Sequence, residues 1–180
     1  MCNQLKVIGI SGLPGSGKSY ISAYATKINY EVTSMGDVIR EEAEKRGEDT
    51  GTTAKNLRLE QGEYVVAKLT IEKIRKLIES GSENIIVEGI RSPYEVEMFR
   101  DAFPDFTLLS VFASPRTRFS RISQRARDDD TEDINEFRER DQRELNFGIG
   151  SVVATSDFII INEDSFEEYQ MQIDEFFNNF

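Results

Sequence analysis

The clearest chemistry in this sequence sits in one short run, Gly12-Leu13-Pro14-Gly15-Ser16-Gly17-Lys18-Ser19, a complete G-x-x-x-x-G-K-S. Its glycines let consecutive backbone N–H groups curl around phosphate oxygens, and a helix beginning at its end adds a positive dipole terminus. Lys18 is placed to bridge β- and γ-phosphates and the Ser19 hydroxyl to ligate Mg²⁺, so the run predicts a binding site for ATP and magnesium. A second feature is Glu88-Gly89, which ends the apolar run Asn84-Ile85-Ile86-Val87. A carboxylate there can hold a magnesium-bound water, and the glycine leaves room for a ligand. A third is cationic: Arg116, Arg118, Arg121, Arg125 and Arg127 crowd one segment, and Arg138, Arg140 and Arg143 follow on the next. The three- and four-residue steps of Arg118, Arg121 and Arg125 put their guanidiniums on one helical face. Phosphoryl transfer spreads negative charge over equatorial oxygens, and arginines closing over them stabilise it, which makes Arg121, Arg125, Arg140 and Arg143 catalytic candidates beside Lys18. Asp128-Asp129-Asp130 can tether the same arginines or serve as a hinge network for the segment that carries them.

Several chemistries are excluded. There is no histidine, which removes imidazole ligands and histidine-based triads. The lone cysteine, Cys2, cannot form an internal disulfide or support a cysteine-bound zinc, and reads as inert. With 33 acidic against 22 basic residues the formal charge is −11, so attraction to nucleic acid is disfavoured and any anion site must be local. The N-K-x-D run of a P-loop GTPase is missing; Asn162-Glu163-Asp164 lacks its lysine and spacing. Apolar runs such as Phe158 to Ile161 are far too short to cross a bilayer and nothing reads as a signal-peptide core, so a cytoplasmic protein is expected.

The elements that must position these residues alternate along the chain. Leu5 to Ile10 reads as a β-branched strand, followed by the glycine-rich loop and a helix. A short strand is expected at Tyr30 to Ser34 and a helix from Asp37 to Arg46, with residues 47–56 as the loosest stretch. Ala67, Ile71, Ile74 and Ile78 mark one face of a helix within Glu63 to Ser80. Ser92-Pro93-Tyr94-Glu95 is a capping box with proline at the first helical position, and Ser114-Pro115 repeats the signal. Strands are expected at Phe106 to Phe112 and Asp157 to Ile161, with helices at Asp133 to Asn146 and after the capping box Ser165 to Glu168. The last helix carries Phe166, Tyr169, Ile173, Phe176, Phe177 and Phe180 on one stripe. Such alternation predicts an α/β fold with a parallel sheet covered on both faces, and the 180 residues read as a single domain.

Ser34-Met35-Gly36-Asp37-Val38-Ile39-Arg40 resembles the acceptor-nucleotide segment of adenylate kinases, and Glu88-Gly89-Ile90-Arg91 resembles their D-G-F-P-R strand end. Gly89-Ile90-Arg91-Ser92, Arg140-Asp141-x-Arg143-Glu144-Leu145 and Gly148-Ile149-Gly150 are similar to runs in the archaeal adenylate-kinase-related P-loop proteins, and this resemblance spans the chain. It implies a three-layer P-loop kinase fold with five parallel strands in the order 2-3-1-4-5. It also implies a helical acceptor-binding segment over about residues 35–80 and an arginine-rich lid over about 115–146. It further implies that Gly36, Asp37, Arg40, Gly89 and Arg91 form the acceptor site, with Arg40 and Arg91 on its phosphate and Asp37 near the magnesium or the transferred group. Two departures stand out: Glu88 replaces an aspartate, and no proline precedes Arg91. A nucleoside monophosphate such as AMP needs no general base, whereas a hydroxyl acceptor would call on Asp37. Ser156 to Asn162 is similar to dephospho-CoA kinases, which keeps the hydroxyl alternative open, and the loop around Asn162 is a candidate border for the adenine. A switch or assembly ATPase using the same loop is the third reading.

Overall fold

A computed structural model describes residues 5–125 and 131–180. Cys2, Arg127 and Asp128-Asp129-Asp130 lie outside the described residues. The element order is β1 (Lys6–Ser11), α1 (Lys18–Lys27), β2 (Glu31–Ser34), α2 (Met35–Arg46), α3 (Thr50–Gln61), α4 (Val65–Glu79), β3 (Asn84–Glu88), α5 (Pro93–Ala102), β4 (Thr107–Phe112), α6 (Pro115–Arg125), α7 (Ile134–Phe147), α8 (Ile149–Ala154), β5 (Phe158–Ile161) and α9 (Phe166–Asn179). The strands form one sheet, all neighbours parallel, in the order β2-β3-β1-β4-β5. This is the expected 2-3-1-4-5 order.

Side-chain alternation along the strands divides the core in two. Val7, Ile85, Val87 and Leu108 pack with Leu57, Val66, Ile71, Ile74 and Phe99 from α3, α4 and α5 on one face. Ile8, Ile10, Ile86, Leu109, Val111 and Ile160 pack with Ile21 and Ala25 of α1 and with Tyr169, Ile173 and Phe176 of α9 on the other. Because both faces of β1 are covered, its side chains are apolar in succession rather than alternating with polar ones. The register pairs Ile10 with Glu88 and Ser11 with Ser110, so the C-terminal ends of β1, β3 and β4 open along one edge. Ligands of open α/β sheets bind at that edge, beside the switch in strand order.

Two helices depart from the sequence expectation. Residues 47–56 are not loose: α3 runs through them from Thr50, its N-terminus capped by Asp49, which accepts from the Thr52 backbone N–H at 2.9 Å. Buried Thr53 and Leu57 hold it inward, and Arg46 of α2 clamps it through both carboxylate oxygens of Glu60 at 3.0–3.1 Å. The second is α8, which follows α7 after a sharp change of direction at Gly148, φ 100°. Capping boxes at Ser92/Glu95 and Ser165/Glu168 start α5 and α9 as expected, and a third, Ser34/Asp37, starts α2.

Candidate phosphate-binding site

The loop between β1 and α1 is shaped by two close approaches. Gly12 adopts φ 141°, and a Cβ there would stand 2.4 Å from the Val111 carbonyl oxygen; Gly17 adopts φ 112°, and a Cβ there would stand 2.4 Å from Asn162 Nδ2. Neither a side chain nor a right-handed backbone fits at either position. The Ser16 amide closes the turn onto the Leu13 carbonyl at 3.2 Å, while the Ser16 hydroxyl is buried with no hydrogen-bond partner among the described residues. Lys18 folds back so that Nζ donates to the carbonyls of Gly12 and, at 3.1 Å, Leu13. These are weak substitutes for phosphate oxygens, and burial pushes the Lys18 ammonium down to about 8, against the opposing pull of Glu88 and Glu144.

A cavity of about 400 Å³ opens above the loop, lined by Gly12, Pro14, Gly15, Gly17, Lys18, Ser19 and Tyr20, and on its other walls by Gly89, Arg91, Arg121, Arg125, Arg140 and Glu144. Four separate stretches of the sequence thus converge on one cavity rich in cationic side chains. Arg91 reaches Glu144 of α7 at 3.2 Å, and Glu144 is only 13% exposed. Glu88 lies at the end of β3, where its carboxylate accepts a hydrogen bond from the Ser22 hydroxyl in α1.

Other expected residues lie elsewhere. Asp37 is the third residue of the α2 capping box and also pairs with Arg40; burial alone would raise its carboxyl, but the bonds from Ser34 and Arg40 hold it below the usual range. Arg40 is 61% exposed, and neither it, Asp37 nor Gly36 lines the cavity. Arg143 is exposed on α7, away from the cavity that its neighbour Arg140 lines. Arg118 shares a helical face with Arg121 and Arg125, yet it is 1% exposed and wholly engaged. Its Nε donates to the Ala113 carbonyl at 3.0 Å and Nη1 to the Pro14 carbonyl at 3.2 Å, both terminal nitrogens meet Asp141 of α7, and the guanidinium lies over the Phe137 ring. A sequence clue existed: Arg118 stands one turn before Ile122, the buried apolar residue of α6.

Behind the loop stand residues to which motif reasoning gave no loop-supporting role. Asn162 buttresses the loop's back: its Nδ2 donates to the Ser16 carbonyl at 2.8 Å and its Oδ1 accepts from Arg121 at 3.0 Å. Tyr169 donates to the Gly17 carbonyl at 3.1 Å, and burial raises its phenol, so the proton is retained. Glu163 accepts from the Ser114 backbone and from Thr117, whose hydroxyl does most to hold that carboxyl below its usual range.

The residues present fit a magnesium-bound triphosphate. Among the described residues the buried Ser16 hydroxyl and the buried Arg121 Nη1 have no acceptor and Lys18 rests on carbonyls, so an anion would supply what these donors lack. Among the described residues no cluster of three or more Asp, Glu, Cys or His side chains could hold a metal unaided, so Ser19 and Glu88 would hold magnesium jointly with phosphate oxygens.

A strand–glycine-rich loop–helix unit at the edge of a 2-3-1-4-5 parallel sheet defines a P-loop protein of kinase-like fold. A family model described as "AAA domain" matches residues 11–138. A UPF0200 protein of Methanothermobacter thermautotrophicus is 55% identical over 157 residues, covering 87% of this chain and 81% of the relative. One of Methanocaldococcus jannaschii is 44% identical over 173 residues, covering 93% and 87%. The chain belongs to the UPF0200 family. Among solved structures it is similar to TT1252 from Thermus thermophilus, with TM-score 0.70, 18% identity and 98% of each chain covered. It is also similar to a shikimate kinase from Bacteroides thetaiotaomicron, with TM-score 0.62, 16% identity and 97% of each chain covered. Among the described residues no helix is long and apolar enough to cross a membrane.

The depressed Lys18 gives a pH test. Phosphate prefers the charged ammonium, so binding raises the lysine's pKa and takes up a proton wherever the free group has lost one. Affinity for ATP, followed by calorimetry, is expected to be flat between neutrality and about pH 8 and to fall above it. Lys18→Arg should remove that decline.

Proposed function

We propose that this protein transfers the γ-phosphate of ATP to a nucleoside monophosphate such as AMP, acting as a cytoplasmic nucleotide kinase. The observation that carries the reading is that Lys18 and Arg91 line the same cavity, together with Arg121, Arg125 and Arg140. Among the described residues its lining carries five cationic side chains and one carboxylate, Glu144, which in a chain of net charge −11 suits two anionic groups brought together. The fold relationship to phosphotransferases supports the same class.

In this reading the amides of Gly12 to Ser19 and the Lys18 ammonium hold the donor's phosphates, while Ser19 and Glu88 hold magnesium. Magnesium, when bound, neutralises phosphate charge. Arg121, Arg125 and Arg140, carried on α6 and α7 as the lid over 115–146, stabilise the charge of the transferred group and exclude water, with Arg143 at the lid's outer face. Arg91 exchanges its Glu144 partner for the acceptor's phosphate beside Gly89, against which Met35 of the segment 35–80 packs, and Gly36 and Arg40, outside the cavity lining, extend the acceptor site from there. A monophosphate oxygen is already a nucleophile. That agrees with Asp37 being committed to its cap and to Arg40, and speaks against a hydroxyl acceptor that would need Asp37 as base. The chain works as one unit over 1–180.

A panel of AMP, CMP, UMP, GMP and dephospho-CoA, scored by coupled ADP detection, tests the reading. ADP formed only with a monophosphate supports it; inorganic phosphate as the sole product makes the protein an ATPase switch instead. Within the panel, Arg91→Ala should weaken the accepted monophosphate by about 10–100-fold, the loss of a charge-assisted bond, and ATP far less. Equal losses for both ligands would remove Arg91 from the acceptor site.

A further inference from the structure

Asn162 is a buried polar residue, 7% exposed, that the chemistry above does not use. It directly follows β5, and its backbone N–H donates to the Phe112 carbonyl at 2.8 Å, fixing it to the sheet. Its amide is engaged at both ends in the sense its chemistry requires: Nδ2 donates to the loop carbonyl of Ser16 and Oδ1 accepts from Nη2 of Arg121. Reversing the amide would set oxygen against carbonyl and N–H against guanidinium. Gly17 is cut back to a bare Cα where Nδ2 passes, so the loop's shape and the amide's position are fitted to each other. At the far end of the chain of contacts, Arg121 lines the phosphate cavity while its Nη1 is buried with no partner among the described residues. Among the described residues the guanidinium is thus held through Nη2, with Nη1 left without an acceptor.

We propose that Asn162 is a positioning residue. By bridging the loop backbone to Arg121 it aims the guanidinium at the donor's phosphates and makes the arginine's contribution depend on the loop's geometry. The claim rests on the reading of this cavity as the donor site, and it concerns the Asn162 side chain, apart from the expectation that the loop around it borders the adenine. Asn162 touches no phosphate; it acts through Arg121.

The test is a double-mutant cycle with Asn162→Ala and Arg121→Ala, reading the dissociation constants of magnesium–ATP and magnesium–tripolyphosphate by calorimetry, with thermal melting as the control for folding. Each single variant should weaken both ligands by about tenfold or more, since each deprives the anion of one well-aimed charged donor. The double variant should be little worse than Arg121→Ala alone. Tripolyphosphate should show the same coupling as ATP, which a contact with adenine would not produce. Additive losses would overturn the proposal, as would an Asn162→Ala defect confined to the melting temperature. If the unaltered protein binds neither ligand, the donor site falls and this proposal with it; normal binding with additive losses removes only the coupling.

Discussion

Lys18→Ala is expected to cut ATP-dependent turnover by about 10²–10³-fold, the scale of losing a preorganised charge donor, while leaving the melting temperature nearly unchanged. Both halves follow from where the ammonium rests. Nζ is spent on the carbonyls of Gly12 and Leu13, and burial has already pushed it down to about 8, so the folded state carries a desolvated charge for little return. Alanine discards that burden along with two hydrogen bonds to loop carbonyls beside a cavity that Gly12 and Lys18 line, where water can replace the lysine. The site loses the group that should grip the β- and γ-phosphates; the fold loses almost nothing. Steady-state turnover and a thermal melt on the same preparation decide it. Near-normal turnover would remove the donor site from this cavity, and a collapse in melting temperature would make Lys18 a structural residue.

The parts of the molecule legible in the sequence are those whose cause is local. The glycine-rich loop is contiguous, and its strand before and helix after are signalled by β-branched residues and by helix formers. The capping boxes at Ser92 and Ser165 spell out two helix starts, and the alternation of elements implied a parallel sheet. What local pattern hid was decided across distance. α3 begins Thr50-Gly51-Thr52-Thr53, poor helix formers, and is held by the Asp49 cap, the Arg46–Glu60 clamp and the burial of Leu57. α8 lies between Gly148 and Thr155 and reads as a loop until packing of Ile149 and Val152 is known.

The same division holds within the site. The arginine count of α6 was readable, but the division of labour was not. Arg118 and Arg121 sit on one face, yet Arg118 turns to Pro14, 104 positions away, and to Asp141, whereas Arg121 turns to the cavity. Asn162 meets Ser16 across 146 positions. Asp37 matched a motif offset, while Ser34 and Arg40, three residues to either side, engage its carboxylate.

Arg118 leads to the largest stability effect. Its guanidinium joins α6, α7 and the phosphate loop through Ala113, Asp141 and Pro14, and rests on Phe137. Breaking a buried pair by removing one partner typically costs about 3–5 kcal/mol, because the surviving charge is stranded. In a chain of this size that is roughly 6–20 °C in melting temperature. The two partners should not be equivalent. Asp141 is 14% exposed and can turn to water when Arg118 is lost, but Arg118 is 1% exposed and cannot leave when Asp141 is lost. Asp141→Ala should therefore be the more damaging single change, with Arg118→Met milder because its chain still covers Phe137. Replacing both together, Arg118→Met with Asp141→Leu, should recover most of the stability, since a well-packed apolar pair avoids the desolvation that the ion pair must offset. ATP affinity should not recover with it, because the Pro14 carbonyl loses its anchor and the loop its tie to α6. Urea unfolding of the three variants, paired with ATP titration, checks the order. If Arg118→Met proves worse than Asp141→Ala, or the double variant worse than either, the pair's role is specific geometry that no apolar packing can replace.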